Sequence, residues 1–192
     1  MSAMFGASTG HFVLESGLHT DRWFDLDALF SDPSAIAASV DELATLLAPF
    51  EATAICGPMV GGAFLAQALA TRMGLHFLHT QRSGSDATSA LFATRYELPQ
   101  VQRDLARGRR VAIVDDMISA GSSTRATHVA LNEADAVVVA IGTLHLSGNE
   151  AEEHFSRLGL PLVAIERHAL ELWRPDECPL CRRGLPIIDR QT

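Results

Sequence analysis

Apolar positions along this chain follow two periods. Ile36, Val40, Leu43 and Leu47 recur at spacings of four, three and four, which predicts a helix with one buried face. Asp32 suits its N-cap, Pro33 suits its first turn, and Pro49 ends it. A second helix is predicted over 63–73, with Leu65, Leu69 and Met73 on one side and Gly74 as its stop. Further helices are expected at 99–107, closed by Gly108, at about 123–133 and near 150–158. Between them lie short, continuously apolar runs at 53–56, 75–78, 110–114, 136–141 and 162–165. Continuous rather than alternating runs predict strands buried on both faces, hence a parallel sheet covered by helices on each side. The flanks are less regular. Residues 11–14 and 22–24 read as two extended pieces broken at Ser16-Gly17. Residues 82–95 are small and polar and read as a mobile loop between extended pieces. Residues 175–192 read as an extended tail with turns.

Composition changes this picture mainly through one absence. All 15 basic residues are arginine, against 23 acids, for a net charge of −8. Without lysine, Schiff-base chemistry, a lysine general base and a GxxxxGK[ST] phosphate loop are excluded. A chain of 192 residues fits one domain. The acidic balance argues against a nucleic-acid partner. No apolar run is long enough for a membrane span, and the first ten residues do not read as a secretory signal. Three cysteines (Cys56, Cys178, Cys181) form no disulfide framework, so a cytoplasmic location is expected.

Candidate chemistry concentrates in 111–124. A buried strand delivers Asp115 and Asp116 at its carboxyl end, where open α/β sheets bind ligands. Ser119, Ala120, Gly121, Ser122, Ser123 and Thr124 then form a small-residue loop opening a helix. Its amides, hydroxyls and helix N-terminus suit a phosphate monoester. Acceptors for a diol therefore lie beside donors for a phosphate, as a ribose 5-phosphate requires. Gly57, Pro58, Val60, Gly61 and Gly62, between a strand and a helix, offer backbone amides to a second anion.

This arrangement resembles the phosphoribosyl-pyrophosphate (PRPP) signature of type I phosphoribosyltransferases. Three other stretches resemble the orotate phosphoribosyltransferase branch of that family. Residues 10–19 (GHFVLESGLH) resemble its N-terminal substrate segment, 56–63 (CGPMVGGA) its pyrophosphate loop, and 176–186 (DECPLCRRGLP) a tail found in many bacterial and archaeal members. The resemblance implies that Asp115 and Asp116 bind the ribose hydroxyls and serve catalysis, with Asp116 near C1′. It implies that 119–124 hold the 5-phosphate and that the 57–62 loop faces Mg²⁺-pyrophosphate near the two acids. It implies a base site involving Ser16 and Gly17, and a homodimer; Trp23 and Phe24 either line a base pocket or simply pack. Catalysis would be largely electrostatic.

The pattern departs from the branch in three places. The loop that normally carries lysines offers only Arg82 and Arg95, either of which can bind pyrophosphate through a forked guanidinium. Where the orotate enzymes usually carry an Asp-Arg pair, this chain reads Gly142-Thr-Leu-His145. His145 either contacts the base or is a satisfied histidine at a strand end. The phosphate loop reads Ser-Ala-Gly-Ser-Ser, keeping its hydroxyls and first glycine. Cys178-x-x-Cys181 could form half of a zinc site, but packing of the two thiols within the tail is the expected outcome, with His11 in an ordinary role. The expectation is a type I phosphoribosyltransferase-like α/β fold: a mainly parallel twisted sheet flanked by helices, core about 31–165, and a small hood from about 1–30 with 166–192. The expected function is phosphoribosyl transfer from PRPP to a nitrogen base, orotate-like, with Mg²⁺. The alternative is a PRPP-binding regulator without transfer.

Overall fold

The computed structural model describes residues 7–24, 30–84 and 91–188. Strands β1 (Ala7–Val13) and β2 (His19–Phe24) pair antiparallel as a separate two-stranded sheet. Helix α1 (Pro33–Leu47) follows, then β3 (Ala54–Pro58), α2 (Gly61–Met73), β4 (His76–Arg82) and the short β5 (Tyr96–Glu97). After them come α3 (Gln100–Ala106), β6 (Arg110–Ile118), α4 (Ser122–Glu133), β7 (Val137–Ser147), α5 (Glu150–Arg157), β8 (Leu162–His168) and α6 (Pro179–Arg182). The large sheet has the order β5-β4-β3-β6-β7-β8, and only the β4–β5 pairing is antiparallel.

The sequence pattern accounts for both faces of this sheet. Along β6, Val111 and Ile113 pack with Leu131 of α4 and Phe155 of α5. The intervening Ala112 and Val114 pack with Leu43 and Leu47 of α1 and Leu65 and Leu69 of α2. Each strand residue thus meets one helical layer or the other, which is why the run has no polar alternation. Asp32 caps α1 as predicted, its Oδ1 accepting from Ser34 N at 2.9 Å. Gly74 closes α2 at φ 68°, a backbone conformation that glycine adopts without penalty.

All five predicted sheet strands outrun their expected ends, and two of them bear on the site. β6 continues to Ile118 and β7 to Ser147, with Asp115 opposite Thr143 and Met117 opposite His145. The acid pair therefore sits on the ladder rather than beyond it. Apolar content falls at Asp115, but the continuation is still buried: Ile118, Leu144 and Leu146 are apolar, and the polar Thr143 and His145 are covered as well. The Thr143 hydroxyl donates to the carbonyl of Asp116 at 3.3 Å and is satisfied there.

The flanking segments converge. Ile188 N donates to the carbonyl of His11 at 2.7 Å, and His19 and Trp173 exchange backbone hydrogen bonds of 2.8 and 2.9 Å. The tail is not simply extended, since it contains the single turn α6. Residues 85–90, the centre of the expected mobile loop, lie outside the described residues, as do 1–6, 25–29 and 189–192.

Candidate active site

A cavity of about 370 Å³ opens at the carboxyl end of β6. Asp116, Met117 and Ile118 supply its floor, and Ser119, Ala120, Gly121, Ser122 and Ser123 one wall. The opposite wall comes from the β1–β2 unit: Leu14, Glu15 and Ser16 from the turn, and Arg22, Trp23 and Phe24 from β2. Arg82, at the end of β4, closes a third side. With Leu170 from beyond β8, residues from four distant parts of the sequence meet around one space.

The acidic corner is built tightly. Asp115 is 6% exposed and accepts a 2.9 Å hydrogen bond from the Ser123 hydroxyl. Burial, followed by the charge of Asp116 alongside, pushes its carboxyl well above the usual carboxylate range, and the Ser123 bond pulls the other way. Asp116 Oδ1 accepts from Met117 N at 2.8 Å, which fixes that carboxylate against its own strand. A side chain at Gly61 would overlap the Asp116 carboxylate. At Gly62 an added Cβ would lie 2.6 Å from Asp115 Oδ1 and 2.7 Å from Pro58 Cδ. The glycines of the 57–62 loop thus allow a helix start to press against both acids. Two neighbouring carboxylates with closely approaching backbone suit a divalent cation carried by an oxygen-rich ligand.

The Ser119–Ser123 loop turns into α4 at Gly121, which has φ 78° and gives no side-chain cap. Among the described residues no side chain caps this helix, so the amides of its first turn are placed for an anion. Arg125, one turn further on, lies 4.2 Å from the centre of the Phe92 ring, and its Nη2 donates to the carbonyl of Glu150 at 3.0 Å.

Glu15 links the β1–β2 unit to the sheet. It accepts a 3.0 Å bond from the Tyr96 hydroxyl and stands 3.8 Å from Arg82. Burial, then the adjacent Glu15 charge, holds the Tyr96 hydroxyl in its protonated, donating form by raising its pKa. Phe92 N also donates to the carbonyl of Ser16 at 3.0 Å.

Not every predicted site residue reaches this cavity. Thr124 is fully buried, and its hydroxyl has no partner among the described residues. Arg95 is exposed and does not border the cavity. Gly17, at φ 80°, shapes the turn beneath Leu91 rather than the lining. Gly57, Pro58, Val60, Gly61 and Gly62 do not line the space, and neither does Asp115, although Gly61 and Gly62 press against the two acids. His145 is inside β7, not at a strand end. It is 4% exposed, its Nδ1 lies 3.0 Å from His168 Nε2 and 3.5 Å from a Glu166 carboxylate oxygen, and it does not line the cavity. Burial first, then His168, lowers its pKa, and Glu166 opposes them. Arg22 and Glu15 were not predicted. No local pattern announces them: 19–24 (HTDRWF) does not alternate, and three consecutive residues, Arg22, Trp23 and Phe24, border the cavity.

The chain belongs to the phosphoribosyl transferase domain family, whose model matches residues 26–158. Among curated relatives it is 29% identical over 178 residues to an orotate phosphoribosyltransferase of Thermotoga maritima, covering 92% of this chain and 87% of that protein. It is 26% identical over 182 residues to the orotate phosphoribosyltransferase of Caldanaerobacter subterraneus subsp. tengcongensis, with 93% and 87% covered. The crystal structure of orotate phosphoribosyltransferase from Aeropyrum pernix superimposes with a TM-score of 0.65 at 25% identity, covering 84% of this chain and 87% of that one.

Proposed function

We propose that this chain transfers the phosphoribosyl group of PRPP to an orotate-like base and releases pyrophosphate. The observation that carries this reading is the shared cavity: Asp116, the serine-rich start of α4 and the aromatic pair Trp23 and Phe24 all border it. Curated relatives that match nearly the whole chain at 26–29% identity are orotate phosphoribosyltransferases.

The chain's own groups divide the work. Ser119–Ser123 and the first amides of α4 would hold the 5-phosphate. Asp115, set by Ser123, would orient the ribose diol. Asp116 would stabilise the positive charge developing at C1′ as the bond to pyrophosphate stretches, an interaction stronger in the transition state than in the bound substrate. Arg82 would meet pyrophosphate, with Arg95 as the second cation of that loop. Trp23 and Phe24 would cover the base, and Arg22 would pair with its carboxylate, replacing the arginine absent from 142–145. Mg²⁺ would be held near Asp115 and Asp116 through bound PRPP, where it neutralises charge on the leaving group. We read the protein as a cytoplasmic homodimer in keeping with its family. Among the described residues no helix is long and apolar enough to cross a membrane.

The test is pyrophosphate release from Mg²⁺-PRPP with orotate, uracil, adenine or hypoxanthine as acceptor. Orotate should give the highest kcat/KM, and removing Mg²⁺ should abolish turnover. Tight PRPP binding without turnover on any base would establish the regulatory alternative instead.

A further inference from the structure

Outside the cavity, four side chains from opposite ends of the chain meet behind the β1–β2 unit. His11 comes from β1, His19 from the start of β2, Cys178 caps α6 and Cys181 lies within it. Their ligand-type atoms all lie within 4.8 Å of one another. His11, His19 and Cys178 are 2%, 5% and 0% exposed. Both cysteines contact histidines of the β1–β2 unit rather than only residues of their own tail. His168 belongs to a separate group, its Nε2 lying 3.0 Å from His145 Nδ1.

We propose that these four residues form a structural Cys₂His₂ zinc site that ties the β1–β2 unit to the C-terminal segment. A tetrahedral ion with Zn–S of about 2.3 Å and Zn–N of about 2.05 Å requires edges of roughly 3.3 Å for N···N and 3.6 Å for S···N. The structure has 2.9 Å between His11 Nε2 and His19 Nδ1. It has 3.6 and 3.7 Å from His11 Nε2 to the sulfurs of Cys178 and Cys181, and 3.3 Å from His19 Nδ1 to Cys181.

Hydrogen bonding alone does not account for this convergence. His11 Nδ1 lies 2.8 Å from the carbonyl of Leu185, an acceptor only, so Nδ1 carries the proton and Nε2 presents one lone pair to the cluster. Three groups approach that one lone pair: His19 Nδ1 and both thiols. One in-plane lone pair cannot serve three donors, but one cation among four donors satisfies all of them. The Leu185 contact is also the outer hydrogen bond that metal-bound histidines usually make, fixing ring and tautomer. Cys-Pro-Leu-Cys places both sulfurs on one side of the α6 turn, as a zinc knuckle requires.

The ion would also bear on the cavity. β1, β2 and their turn carry both histidine ligands and Leu14, Glu15, Ser16, Arg22, Trp23 and Phe24, so the base-side wall and the metal site share one small sheet. Two strands alone are marginal in water, and a metal crosslink compensates for the core this unit lacks.

The test is the metal content of the full-length protein purified under reducing conditions without added chelator, read by mass spectrometry. About one zinc per chain is expected. Cobalt replacing it should give visible d–d bands of tetrahedral intensity and a thiolate charge-transfer band. Cys181→Ser and His19→Ala should each weaken zinc binding at least roughly 100-fold in competition with a chromophoric chelator, the upper end of what losing an outer-shell partner costs. Zinc titration of the metal-stripped wild type keeps the test open if a variant fails to fold. Substoichiometric metal together with no competitive zinc uptake would overturn the proposal, as would a Cys178–Cys181 disulfide that persists in reductant. None of these measurements depends on turnover, so failure of the phosphoribosyl-transfer reading would leave the metal result intact.

Discussion

Gly62→Ala adds one methyl group where the start of α2 presses on the acidic corner. Its Cβ would fall 2.6 Å from Asp115 Oδ1, 2.7 Å from Pro58 Cδ and 3.0 Å from the carbonyl oxygen of Val114. Ordinary contacts begin near 3.4 Å, so the closest pair must separate by about 0.8 Å. Neither neighbour yields easily, because the proline ring is rigid and Asp115 is buried and held by Ser123. Alanine in a helix normally gains up to about 1 kcal/mol over glycine. Overpacking at a rigid site costs about 1–3 kcal/mol. The second effect wins, leaving a net loss of about 1 kcal/mol, or roughly 2–4 °C in Tm for a chain of this size. Activity should suffer more. A displacement near 1 Å of a substrate-orienting group costs on the order of 100-fold. Steady-state pyrophosphate release and thermal denaturation of the same preparation measure both. A Gly62→Ala protein with higher Tm and unchanged kcat/KM would refute the assigned role of this close approach.

Asp115→Asn should abolish turnover yet make the unliganded protein more stable at neutral pH. The folded-state pKa of Asp115 is raised, so the native protein retains a proton that the unfolded chain releases from about pH 4 upward. Its contribution to stability is therefore full at low pH and is lost as pH rises through the folded pKa, and urea denaturation across pH should show this fall in wild type and not in the variant. Arg22→Ala should raise KM for orotate about 10–100-fold, the equivalent of one charge-assisted hydrogen bond, while PRPP affinity measured by calorimetry stays unchanged. Leu47→Ala, at a fully buried position between α1 and the sheet, should cost about 2–5 kcal/mol in chemical denaturation with kcat/KM retained in the folded fraction.

Much of the fold is legible in the sequence because burial follows simple periods. The α1 stripe and the continuous run into β6 each match one structural layer. The acid pair and serine loop are contiguous, so their joint placement follows from a single strand-loop-helix unit. The reading fails where burial and polarity part company. β6 and β7 continue through Asp115, Thr143 and His145, whose polar groups are satisfied inside the protein, so an apolar run stops short of the true strand ends. It fails again where partners are remote in sequence. His11 and Cys178 are separated by 167 positions, and no local spacing announces their meeting. Arg22 reaches the cavity only because β2 lies across the end of the sheet, a fact of tertiary placement.

The bond from Ile188 to His11 has a consequence for how the protein is made. Synthesis proceeds from the N-terminus, and chains generally begin to fold as they emerge. The sheet through β8 can assemble before residues 169–188 have emerged from the ribosome. β1 and β2, although synthesised before the sheet, complete their pairing only when Trp173 and then Ile188 are free to meet them. The wall carrying Arg22, Trp23 and Phe24 is thus translated before the sheet and docks after it. A nascent chain paused before the tail would hold a finished sheet and an unfinished cavity.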